Sequence, residues 1–150
     1  MPDIQQLLAD LGILVAAFAL AFPIALDRER AERPAGLRTF PIVAVACCAY
    51  VLIAQRAFPD SPDAQARVMG GIMTGMGFIG GGAILKDSGT GVVRGVTTAA
   101  SLWNVGAIGV AVAYYRFELA IVLAAINFAI LRWLKPAVER TEDASSPSSD

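Results

Sequence analysis

A chain of 150 residues that is 56% hydrophobic and 17% charged, with a mean hydropathy of +0.60, is too apolar for one water-soluble domain, where about a quarter of residues carry charge. Its formal net charge is −1 and no basic patch stands apart from the ends of the apolar segments, so nucleic acid is not an expected partner. The absence of histidine removes the commonest zinc ligand, the commonest general base and any Ser-His or Cys-His nucleophile pair.

The opening "MPDIQQLLAD" lacks a basic n-region and reads as the approach to a retained first helix rather than a removable signal. The first apolar segment covers Ile4–Leu26, with Asp10 as the one acidic residue well inside it. The following stretch, "DRERAERPAGLRT" at Asp27–Thr39, alternates in sign. One reading is a topology anchor whose solvated ion pairs contribute little. The other is a compact basic entrance from Arg33, Gly36, Arg38 and the more distant Arg94, suited to an anionic headgroup or an acidic protein surface.

The second segment, Phe40–Ala54, is short unless Leu37 to Thr39 and Gln55 extend it. Its two cysteines, Cys47 and Cys48, are adjacent. Neighbours rarely bridge, so no structural disulfide and no redox compartment follow.

The third segment, Val68–Leu85, is uncharged and holds Gly75-x-Gly77-x-x-Gly80. A dinucleotide loop with that spacing follows a soluble strand and opens an amphipathic helix; here the glycines lie within an apolar run long enough to cross the roughly 30 Å bilayer core. On a helix, Gly71, Gly75 and Gly82 share one face, and Gly70, Gly77 and Gly81 a second. Small residues so spaced let helix backbones approach closely under lipid, which places this helix at the centre of the bundle. Local unwinding that lends backbone groups to an ion or partner is the alternative use.

The fourth segment, Gly95–Tyr115, carries Thr97, Ser101 and Asn104 on one stripe, with Thr98 near its start. Such side chains either hydrogen-bond across helices, at about 1 kcal/mol each, or line a small hydrated path; the threonines can also satisfy exposed amides at the helix start. The fifth segment, Phe117–Leu134, contains Glu118 and ends at Arg132, with Asn127 as an isolated polar residue suited to a packing contact.

These segments predict an all-α membrane protein, a bundle of five transmembrane helices. Nine basic residues fall on one side and three (Arg56, Arg67, Arg116) on the other, which by the positive-inside rule puts the N-terminus outside and the C-terminus in the cytoplasm. Residues 1–136 form the membrane domain and 137–150 a disordered cytoplasmic tail, polar and serine-rich. No inverted repeat is evident. Segments three to five hold no acidic residue away from their ends, so a dehydrated Mg²⁺ would find no carboxylate ligand.

Three blocks in register, "RPAGLRT" at Arg33–Thr39, "GMGFIGGGAIL" at Gly75–Leu85 and "VRGVTTAASLW" at Val93–Trp103, resemble the MgtC/SapB family of bacterial inner-membrane proteins, over about Ala25 to Leu134. The resemblance marks Asp27, Arg33, Gly36, Arg38, Thr39, Arg94, Gly95, Thr97, Thr98 and Ser101 as motif positions for partner or ion contact, with Asn104 added from the polar stripe. Departures are Asp27 where relatives often have Glu, Phe40 where they have His, Asn104 at a usually small or aliphatic position, and Ala113 to Tyr115 in place of glycines. The chain resembles a short form without the soluble C-terminal domain of some relatives.

The resemblance implies a multi-pass protein of the bacterial inner membrane, linked to growth in low Mg²⁺ and, in pathogens, to virulence. It also implies modulation of a partner membrane complex, with the proton-driven ATP synthase among the proposed targets. No cofactor and no metal are expected; membrane lipid and possible self-association are. An ion channel or transporter for Mg²⁺ or protons, its path between the Thr97–Asn104 stripe and the glycine helix, is the alternative. An intramembrane enzyme would have to rely on Asp27, Glu29 or Ser101 without a histidine partner.

Overall fold

A computed structural model describes residues 3–31, 35–86, 88–89 and 91–134; Arg33 and the expected tail at 137–150 lie outside them. The described residues form α1 (Ile4–Arg30), α2 (Thr39–Ala57), α3 (Pro62–Gly82), a ribbon of β1 (Leu85–Lys86) and β2 (Val93–Arg94), α4 (Val96–Ala113) and α5 (Phe117–Trp133). Three of the helices, α1, α2 and α4, are long and apolar enough to cross a membrane. Helix α3 begins six residues before the expected segment and takes Asp63 and Arg67 into its first turns. At 17 residues, α5 is about 26 Å long.

Local chemistry sets the boundaries. Asp3 caps α1, its carboxylate accepting from the Gln5 amide at 3.2 Å. Ser61 accepts from the Ala64 amide at the start of α3, and Pro62 follows it at the first helical position, where a missing N–H does no harm. Gly95, at φ +91°, precedes α4. A Cβ there would strike the Ala83 carbonyl at the end of α3, so the ribbon can close only through glycine. Tyr115, at φ 57°, ends α4 in the left-handed conformation that often terminates helices.

Helix α4 is the centre of the bundle and packs against α1, α2, α3 and α5. Its approach to α2 is backbone to backbone: a Cβ on Gly109 would run into the Ala44 carbonyl and lie 3.2 Å from Cys47 Cβ. A Cβ on Gly106 would lie 3.1 Å from Met76 Cγ. In α1, Ala17, Ala21 and Ala25 recur every fourth residue and are fully buried, the small-residue spacing that lets helices pack closely in lipid. Leu11, Val15, Phe18 and Phe22 are exposed.

The expectation of a central third helix is therefore corrected. Helix α3 lies at the edge, on α4 and α2, and only Met76 and Gly80 of it are buried. Gly80 faces Ala99, where a Cβ would lie 3.4 Å from the carbonyl. At Gly70, Gly71, Gly75, Gly77, Gly81 and Gly82 a Cβ would meet nothing within 4 Å. These glycines do not bring α3 close to the rest of its own chain; Gly106 and Gly109 perform that task in α4.

Candidate functional site

The expected site residues fall into three places. The first is the free side of α3. Gly71, Gly75 and Gly82 share a stripe with Phe78, which is 85% exposed, so an aromatic ring stands among bare backbone. Gly70, Gly77 and Gly81 are exposed beside them. Gly71 and Gly75 also border a groove of about 460 Å³ between α2 and α3, lined among others by Ile42, Cys47, Tyr50 and Ile79. A wider groove, about 570 Å³, runs between α3 and α5 over α4.

The second place is the seam between α4 and α5. Ser101 Oγ donates to Asn127 Oδ1 at 3.1 Å, and Asn127 Nδ2 donates to the Ser101 carbonyl at 3.5 Å; both residues are buried. Asn104 Nδ2 donates to the Leu123 carbonyl at 3.2 Å. Thr98 is buried at the start of α4 and Thr97 is exposed. Ser101 and Asn104 thus turn their polar groups to α5, away from the glycine helix, and the expected path between that stripe and α3 is corrected. A buried amide left unpaired is expensive, which explains why Asn127 and Ser101 face each other.

The third place is the end of the bundle where α1 stops, α2 starts and the ribbon lies. Arg28 is buried and its guanidinium donates to Asp27, Nη2 at 2.5 Å and Nε at 3.2 Å. Glu29 Oε2 accepts from the Leu37 amide at 3.0 Å, and a Cβ on Gly36 would collide with that carboxylate. The Gly36 carbonyl in turn accepts from the amides of Thr39 and Phe40 at 3.1 Å. Gly36 and Thr39 therefore shape the tight entry to α2, while Arg38 and Arg94 are exposed at the same end. In the ribbon, Leu85 pairs with Arg94 and Lys86 with Val93.

Four features had no place in the sequence reading. Gly106 and Gly109, three residues apart, could have been found as a small-residue pair in α4. Asp10 of α1 pairs with Arg56 of α2, 46 positions away, a separation no local pattern reports. Glu29 closing the α1–α2 turn was foreshadowed only by the nearby Gly36. Met69, Met73 and Met76, on one face of α3, follow helical spacing that was legible beside the glycines.

A sequence model described as "MgtC family" matches residues 14–140. Protein SrpB of Synechococcus elongatus is 35% identical over 119 residues, covering 73% of this chain and 65% of its own length. Protein MgtC of Salmonella typhimurium is 35% identical over 127 residues, 85% of this chain and 53% of the relative. Protein MgtC of Brucella abortus is 36% identical over 129 residues, 86% of this chain and 52% of the relative. The chain thus spans about two thirds of the SrpB length and about half of each MgtC protein. No solved structure matches it.

Proposed function

The chain belongs to the MgtC family, and from that premise we propose that it is a non-enzymatic inner-membrane protein that binds and modulates a partner membrane complex through α3, in adaptation to low Mg²⁺ or related stress. The proton-driven ATP synthase is the candidate partner that the family resemblance suggests. In this reading all five helices span the bilayer, with the Arg38 and Arg94 end in the cytoplasm by the positive-inside rule.

The observation that carries the reading is the set of six α3 glycines at which a Cβ would meet nothing within 4 Å among the described residues. Glycine in a helix interior costs about 0.5–1 kcal/mol relative to alanine; Gly70, Gly71, Gly75 and Gly77 are interior to α3 and weaken it by on the order of 2–4 kcal/mol, with open space where their Cβ atoms would stand among the described residues. Contact with another helix supplies the compensation, because bare backbone offers close packing where lipid offers no hydrophobic drive. The channel reading has less support, because Ser101 and Asn104 spend their polar groups on α5.

Affinity capture from intact membranes after mild crosslinking tests the proposal. A membrane protein recovered with the natural chain and lost when Gly75 and Gly77 are changed to leucine is the expected result. Equal recovery with both forms, or recovery of this chain alone, removes the support.

A further inference from the structure

The groove between α3 and α5 has a shape and a polarity that the proposed partner surface does not use. Its α3 wall is Met69, Ile72, Met73 and Met76; Trp103 marks one end on α4, and Tyr114 and Arg116 mark the other. Trp103 and Tyr114 are 11 residues apart on and just beyond one helix, about 16 Å along the axis. That is about half of the ~30 Å hydrocarbon core of a bilayer, the depth of one leaflet.

A volume of about 570 Å³ spread over that length gives a section of roughly 35 Å². Carbon contact distances of 4–4.5 Å give an extended hydrocarbon chain a section of about 20 Å². The groove is wide enough for an acyl chain. Methionine walls suit such an occupant, since unbranched thioethers adapt to a mobile chain.

The polarity is ordered along the same axis. Toward Trp103, α3 converges on α4 where Met76 meets Gly106 and Gly80 meets Ala99, and the groove tapers. Toward the other end α3 is held by the Tyr114 hydroxyl, 3.5 Å from Gln65 Oε1 and from Met69 Sδ. Arg116 is the one charged residue among the described lining residues. Its Nε is engaged by the exposed Glu118, and the terminal nitrogens of its guanidinium remain as donors of the kind that pair with phosphate.

We propose that this groove seats one acyl chain of an anionic phospholipid, with Arg116 holding the headgroup phosphate at the membrane surface. Complementarity of length, section and charge all run in the same direction along α4. The proposal is independent of the partner surface, which uses the other side of α3.

Trp103 reports on the groove directly. In a full-length Trp133→Phe protein, reconstituted in neutral vesicles, fluorescence is titrated with phosphatidylglycerol or phosphatidylcholine brominated on the acyl chain. The anionic lipid is expected to reach half-quenching at the lower mole fraction, because both lipids offer Arg116 a phosphate but the choline cation of phosphatidylcholine repels the guanidinium and offsets that attraction. Arg116→Gln is expected to abolish that preference, while Glu118→Gln, which frees the guanidinium, retains or increases it. Equal quenching by the two lipids overturns the proposal, as does a preference that survives Arg116→Gln. Protection of Trp103 from both lipids overturns it too, by showing that protein fills the groove. Circular dichroism on each variant confirms that the bundle has folded.

Discussion

Replacing Gly109 by alanine puts a methyl group where α4 meets α2 backbone to backbone. The added carbon would run into the Ala44 carbonyl oxygen and lie 3.2 Å from Cys47 Cβ; neither is the free end of a flexible side chain, so the helices must separate. Overpacking of this kind costs about 1–3 kcal/mol, offset by about 0.5–1 kcal/mol from the better helix former, for a net loss of up to about 2.5 kcal/mol. Gly106→Ala meets the flexible Met76 side chain first, 3.1 Å from its Cγ, and should cost less. Gly75→Ala meets nothing within 4 Å and should leave the isolated protein unchanged or slightly more stable. Thermal unfolding of the purified protein in mild detergent, followed by circular dichroism, should rank the three in that order, with Gly109→Ala lowering the midpoint by a few degrees at about 2–4 °C per kcal/mol for a chain of this size. If Gly75→Ala destabilises as much as Gly109→Ala, the placement of α3 at the edge and α4 at the centre is wrong.

Two further outcomes follow from the site geometry. In a double-mutant cycle on Ser101→Ala and Asn127→Ala, the coupling across the α4–α5 seam should be about 0.6–1.7 kcal/mol; no coupling would mean the two side chains do not meet. Gly95→Ala combines a left-handed backbone with a clash on the Ala83 carbonyl and should cost more than 1 kcal/mol, read as reduced folded yield and a lowered unfolding midpoint, whereas Gly91→Ala meets no neighbour and carries only the backbone strain.

The helices were legible because apolar runs bounded by charge have few other folds available to them. Five segments correspond to five helices, and α4 and α5 end within two residues of expectation. Ser61 and Pro62 start α3 six residues before the apolar run begins, because a cap and a first-position proline act independently of hydropathy. The ribbon at Leu85–Arg94 escaped because two-residue strands leave no periodicity. The role of the glycines was misassigned for a physical reason: spacing tells which residues share a helix face but not what that face meets. Gly71 and Gly75 share a face on which a Cβ would meet nothing within 4 Å, while Gly106 and Gly109, in a helix read for its polar stripe, carry the close approach. Likewise the Ser101–Asn104 stripe was readable as glue, but α5 as its recipient required Asn127 and Leu123 to be placed opposite it.

The proposed contact through α3 is tested most directly from Phe78, which stands on the stripe of Gly71, Gly75 and Gly82 and is 85% exposed. A photoreactive phenylalanine analogue at that position, activated in intact membranes, should yield a discrete adduct with another membrane protein, and Gly75→Leu should abolish it. Adducts with lipid alone, or with further copies of this chain alone, would contradict the account.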